Sequence, residues 1–261
     1  MTDSVLREQA GAVATITINR PAARNALTAE TKTSLLDALR DCSADSGIRA
    51  VILTGAGQAF CAGQDLREHA DQLAAGAAPL ATVREHYNPM VETITAMPKP
   101  VIAAVNGVAA GAGAALAFAC DFRLAARRAS LLMAFAQIGL GADSGASWTL
   151  PRLVGAARAA ELLMLAEPVD ADRALSLGLL TSVVADEELP GAAAAFAARL
   201  AAGPTLAYAA IKEALDYSAG HGLHESLARE ADLQEQLGRT RDHQAATQAF
   251  VRKEQPAYEG R

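Results

Sequence analysis

No stretch restricts the folding of this chain more than residues 106–121, NGVAAGAGAALAFACD. Most side chains there are a methyl group or a hydrogen, so any chemistry at this place falls to the backbone. A short apolar strand over 101–105 leads into it, and an alanine-rich helix follows. The first N–H groups of a helix have no intrahelical acceptor, and they sit at the positive end of its dipole. A strand-to-helix turn of this composition is therefore suited to holding an oxyanion or another anion.

The remaining sequence predicts one large α/β domain with an appendage. Residues 12–19 alternate, with Ala14, Ile16 and Ile18 on one face and Val13, Thr15 and Thr17 on the other. This is the pattern of a half-buried strand. Thr28 is placed to cap a helix carrying Leu35, Leu36 and Leu39 on one face. Residues 50–54 form an apolar strand of the fully buried kind. Residues 71–79 read as loose, 82–97 as a helix stopped by Pro98, and 122–125 and 131–133 as short strands. Helices are expected over 144–154 and 156–166. Strands end near residue 184, and helices over 204–218, 222–237 and 240–253 make a helical tail. The division expected is a core over 1–200 and a C-terminal helical region over 201–261.

Composition narrows the function classes. The chain has 261 residues, 51% of them apolar but only 4% aromatic, so its core must be packed from small side chains. A net charge of −6 disfavours a nucleic-acid footprint, while leaving room for local cations on an anionic ligand. The three cysteines, Cys42, Cys61 and Cys120, have no metal or C-x-x-C spacing, and no signal peptide opens the sequence. These features predict reduced thiols, no metal and a cytoplasmic protein. Residues 100–120 carry no charge and are long enough to span a bilayer, but Asn106, Gly107, Gly111 and Gly113 divide them into strand, turn and helix, which argues against a membrane segment.

A second turn matches the first. Phe60-Cys61-Ala62-Gly63-Gln64-Asp65-Leu66 follows the 50–54 strand as the 106 turn follows the 101–105 strand. If the two strands are neighbours, one N–H from each turn can converge on a single oxygen. Loss of one such donor costs about 3–4 kcal/mol of transition-state stabilisation in a well-studied hydrolase. Neither G-x-G-x-x-G nor G-x-x-x-x-G-K occurs, which disfavours a nucleotide-phosphate cradle.

FCAGQDL, MPKPVIAAVNGVAAGAG, CD, IGLGADSGASWTLPRLVG and EPVDADRALSLGLL, in this order, resemble the crotonase (enoyl-CoA hydratase/isomerase) superfamily. The likeness runs from RPAARNAL near the start to the closing F-x-x-K-x-x-P-x-Y-x-G-R. It implies a ClpP-like spiral of ββα units with a C-terminal helical region that covers the active site and assembles trimers or dimers of trimers. It also implies an acyl-CoA substrate, with coenzyme A carried by that substrate and no permanently bound cofactor. By this resemblance the thioester oxygen lies between the N–H groups of Gln64 and Ala112. Arg24, Ala26, Ala62, Asp65, Leu66, Val108 and Phe135 would line the coenzyme A and acyl channel, with Arg24 and Lys253 as cations for its phosphates.

The sequence departs from the family's hydratases at two positions. The two glutamates that activate water there have Ala115 and Phe135 in their places here, and neither residue transfers a proton. One carboxylate remains, Asp143 in Gly141-Ala142-Asp143-Ser144-Gly145. Its position also suits a helix N-cap. The resemblance is closest to the phenylacetate-pathway ring-epoxide isomerases and Δ3,Δ2-enoyl-CoA isomerases, and it implies Asp143 as the acid/base. Related 4-chlorobenzoyl-CoA dehalogenases use this aspartate as nucleophile, with a histidine where Asn88 stands and a tryptophan where Phe135 stands. His86 is read instead as a surface or helix residue. The remaining alternatives are a hydratase with different water activation and a non-catalytic acyl-CoA- or RNA-binding scaffold. Trp148 is expected in the core, and His221, His224 and His243 lack metal-ligand partners.

Overall fold

A computed structural model describes residues 3–261. Ten strands run β1 Val5–Ala10, β2 Val13–Ile18, β3 Ala50–Gly55, β4 Ala59–Cys61, β5 Val101–Val105, β6 Val108–Ala110, β7 Phe122–Ala126, β8 Ser130–Leu132, β9 Val169–Asp170 and β10 Ser182–Val184. Eleven helices run α1 Ala29–Ala44, α2 Leu66–Ala74, α3 Asn88–Ala96, α4 Ala112–Ala119, α5 Ala146–Val154, α6 Ala156–Leu165, α7 Ala171–Ser176, α8 Leu189–Ala201, α9 Thr205–Ser218, α10 Leu223–Leu237 and α11 Arg241–Arg252.

Two sheets share the strands. One has the order β1-β2-β3-β5-β7-β10 and the other β4-β6-β8-β9. β3-β4-α2 and then β5-β6-α4 each place one strand in the larger sheet, the next in the smaller, and then a helix. This is the expected spiral of ββα units. Apart from the β1–β2 hairpin, the larger sheet is parallel, and β3 and β5 pair directly with Val51 opposite Val101. Parallel strands covered on both faces carry continuous apolar runs, and all five residues of β5 are buried. Ala14, Ile16 and Ile18 of β2 point into the core as their alternation predicts.

Three expectations change. The 106–121 stretch is not one turn: β6 interrupts it and pairs in parallel with β4. Residues 71–74 are not loose but complete α2, because Asp65 accepts from Arg67 and Glu68 N–H groups at its N-terminus and alanine favours helix. Trp148 is 40% exposed rather than core, with its ring face against the Arg152 guanidinium, 3.9 Å from the ring centroid. Residues 82–97 are helical but begin with a π turn, Val83–Tyr87, before α3.

The tail α9–α11 is tied to the body by two half-buried cations. Arg49 donates to Thr205 Oγ1 (2.8 Å) and to the Gly203 and Tyr258 carbonyls. Lys212 Nζ donates to Asp121 (2.8 Å) and to the Ile94 and Lys99 carbonyls. Among the described residues no single helix is long and apolar enough to cross a membrane.

Candidate active site

The two glycine-rich turns meet, and glycine is what permits it. A Cβ on Gly113 would lie 2.2 Å from the Cys61 carbonyl oxygen, and one on Gly63 would lie 2.7 Å from that of Ala110. Gly63 and Gly111 also have positive φ, at 84° and 52°, a region that favours glycine. The RPAARNAL loop runs beside the first turn. Asn25, wholly buried, donates to Ala56 and Ala59 carbonyls, and Ala62 N–H donates to Arg24 O.

This packing frees the two expected donors. Leu27 donates to Gly63 O at 2.8 Å and accepts from Asp65 N at 3.0 Å, so the strand-like bridge uses the groups on either side of Gln64. Ala112 opens α4, whose first backbone bond is Ala115 N to Gly111 O, and a first-turn N–H has no intrahelical acceptor. Cys61, fully buried between the turns, is no nucleophile: burial pushes its thiol up to about 12 despite an N–H bond from Gly63.

In front of the turns lies a mostly apolar cavity of about 160 Å³. Of the expected residues, Ala62, Gln64, Leu66, Ala112, Phe135 and Asp143 line it. Asp143 is its one carboxylate. It does not cap a helix: α5 begins after Gly145, with no side-chain cap. Its Oδ1 accepts from Ser144 Oγ at 2.7 Å, and Ser144 holds a φ of 51°, uncommon for a residue with a Cβ. Burial pushes the Asp143 carboxyl above the usual carboxylate range, and the Ser144 bond offsets only part of this. An acid raised in an apolar pocket is closer to matching the proton affinity of a carbon acid at neutral pH.

A wider cleft of about 850 Å³ adjoins the cavity, and Leu66 lines both. Arg24, Ala26 and Asp65 line this cleft. Arg24 is exposed there with no ion pair among the described residues. Asp65 has a framework task besides, capping α2 and pairing with Arg20 at 2.9 Å. Two expected residues lie elsewhere. Val108 opens β6, opposite Ala59 and Ser130, and Lys253 ends α11 on the surface; neither lines the cavity or the cleft. Asn88 is exposed and His86 bonds to Thr82 and Thr33, so no histidine faces Asp143 from that helix. Among the described residues no cluster of His, Cys, Asp and Glu suits a metal ion.

The sequence reading passed over Tyr87, His69 and Lys32. Tyr87 and His69 line the cavity. Tyr87 follows the spacing Val83, Tyr87, Met90, Ile94, Met97 of one helix face, a usable signal. Lys32 stands three residues before Leu35 and four before Leu36, a lysine on an apolar stripe, and it is 2% exposed.

A family model described as enoyl-CoA hydratase/isomerase matches residues 8–261. A 1,2-epoxyphenylacetyl-CoA isomerase of Escherichia coli is 40% identical over 262 residues, covering 100% of both chains. A Rhodobacter capsulatus protein named probable enoyl-CoA hydratase is 43% identical over 249 residues, 95% of each chain. The crystal structure of an enoyl-CoA hydratase from Bacillus anthracis superposes with a TM-score of 0.90 at 33% identity, covering 99% of this chain and 100% of that one.

Proposed function

The chain belongs to the enoyl-CoA hydratase/isomerase family, and from that premise we propose that it is an acyl-CoA isomerase using one carboxylate. The acyl-CoA ester lies with its thioester oxygen between the N–H groups of Gln64 and Ala112. Asp143 removes a proton from carbon, and the electron pair left behind becomes an enolate whose charge gathers on that oxygen. Asp143 then returns the proton to a different carbon, which shifts a double bond or accompanies the opening of a ring epoxide. The two N–H donors act more strongly on the enolate than on the neutral ester, so they lower the barrier rather than merely tighten binding. The coenzyme A portion occupies the cleft of Arg24, Ala26, Asp65 and Leu66, arrives with the substrate, and leaves no role for a resident cofactor.

The observation that carries this reading is the solitary Asp143 on an apolar wall; by the family resemblance, Ala115 and Phe135 take the places of the hydratases' water-activating glutamates. Asp143 is raised by burial and paired with no base or cation that would commit it to structure. The full-length likeness to the Escherichia coli epoxide isomerase supports the same choice. We further propose a homotrimer or a dimer of trimers, since Leu215, Leu223, Phe250 and Val251 on the tail helices are each at least 70% exposed.

Turnover of trans-3-enoyl, crotonyl, ring-epoxide arylacetyl and halobenzoyl CoA esters tests the proposal. Isomerisation is expected of the first class, the third, or both. Steady loss of crotonyl-CoA to hydration, retained in Asp143→Asn, would establish hydratase chemistry instead.

A further inference from the structure

Behind the Gln64 turn lies a charge that the chemistry above does not use. Lys32 projects from α1 into the protein, and its Nζ donates to Gln64 Oε1 at 3.0 Å and to Thr82 Oγ1 at 2.5 Å. The ammonium also sits 5.3 Å from the centroid of the Tyr87 ring. Tyr87 donates its hydroxyl to the same Gln64 Oε1 at 2.6 Å. One buried cation thus joins three segments: α1, the Gln64 turn and the π turn that carries Tyr87 to the cavity wall.

Lysine has only donors, so it fixes which end of the Gln64 amide faces it. The oxygen is held by Lys32 and Tyr87, and Nε2 is left buried without a partner. Among the described residues no carboxylate forms an ion pair with Lys32. The acids that face it are Glu68 and Asp65 around the start of α2 and Glu85 on the π turn. Glu68 already accepts from Ala29 N–H and Asp65 from Arg20. His86 shares the Thr82 hydroxyl at 3.2 Å. Burial pulls the Lys32 ammonium below its ordinary range, against these acids. A buried cation without its own counter-ion is unfavourable, and an apolar side chain of similar length would fill the space at less expense. Such a charge gains a favourable partner when negative charge develops nearby.

We propose that Lys32 is a positioning residue for the reaction: it locks Gln64 and Tyr87 as the rigid back of the cavity and supplies positive potential behind the turn where the enolate forms. This rests on the isomerase reading above. The effect is larger for the enolate than for the neutral ester.

Lys32→Met removes charge and bonds, Lys32→Gln keeps a donor for Gln64 without charge, and Lys32→Arg restores charge. With the best ester of the panel, Lys32→Met is expected to lower kcat by roughly 30-fold with KM within about twofold. The loss should fall on kcat rather than KM, because the charge acts on the enolate more than on the neutral ester. Lys32→Gln should show the same split with a smaller loss of kcat, and Lys32→Arg should bring kcat back. If Lys32→Met does not fold, Lys32→Gln alone decides. A rise in KM matching the loss of kcat, or a Lys32→Arg enzyme as slow as Lys32→Met, would mean a structural role and overturn the proposal. So would Lys32→Met or Lys32→Gln enzymes of ordinary rate beside an inactive Asp143→Asn. An active Asp143→Asn would instead overturn the isomerase reading, and this inference with it.

Discussion

Asp65 and Asp143 each stand in a glycine-containing loop just before a helix, yet the protein places them under opposite constraints. Burial pushes Asp65 up, but the Arg20 bond and the Glu68 and Arg67 N–H groups outweigh it, and the carboxyl ends below its ordinary range. Asp143 is also pushed up by burial, and only Ser144 opposes this, so it ends above. One is fully employed in holding α2 and the Arg20 loop, and the other is not. The comparison teaches that a carboxylate's task is read from its partners: hydrogen bonds to the charged form mark framework, and an incompletely stabilised carboxylate in a cavity marks chemistry.

Swapping each aspartate for asparagine should separate them most sharply. Asp143→Asn is expected to lower kcat by about a thousandfold while binding of the CoA ester changes little. The same variant should be slightly more stable at neutral pH, with Tm up by about 1–2 °C. The sign follows from linkage. A folded-state carboxyl raised above its unfolded value makes the ionised form unfavourable in the fold, and this penalty disappears as pH falls through the folded value. Calorimetry and steady-state kinetics on one preparation check both halves; a fall in both rate and Tm would remove the contrast.

Next in size is Gly113→Ala. Its methyl would meet the Cys61 carbonyl, so the β4–α4 seam must open, with a loss of about 2–3 kcal/mol and a marked fall in kcat, measured by denaturant unfolding and turnover. Asp65→Asn should show the reverse of Asp143→Asn: about 1 kcal/mol of stability lost with the charged Arg20 bond, while Asn still caps α2 and kcat is nearly kept. Because Asp65 is depressed, its contribution is present above the unfolded value and is lost as pH falls through the folded one. Its acid-unfolding midpoint should therefore differ less from the parent's than neutral-pH unfolding does. The smallest effect is expected for Trp148→Ala, on an exposed helix face beside Arg152. Stability and rate should stay within about 0.5 kcal/mol of the parent.

Much of this architecture was legible in order. Alternation gave β2, uninterrupted apolar runs gave β3 and β5, and Thr28 gave the start of α1, whose Thr31 N–H it accepts. The strand β6 was not legible, because three small residues between Gly107 and Gly111 carry no period of their own and form a strand only by pairing with β4 and β8. Residues 71–74 misled by composition: alanine beside glycine reads as loose until a cap is found to start the helix. Asp143 was singled out, but its two possible tasks separate only when the position of Gly145 at the start of α5 is known.

The sequence by itself determined the strand–helix alternation, the two glycine turns and the family resemblance, and through that resemblance the lack of a water-activating glutamate pair. These are local or compositional properties, written in spacing and residue type. Only the tertiary structure decided which groups share an environment. It put Gly63 against Ala110 and Gly113 against Cys61, left Asp143 without a cation while giving Asp65 one, and turned Lys32 inward to Gln64 and Tyr87. Desolvation and electrostatic fields arise from distances between residues far apart in the chain, and no pattern along the chain contains those distances.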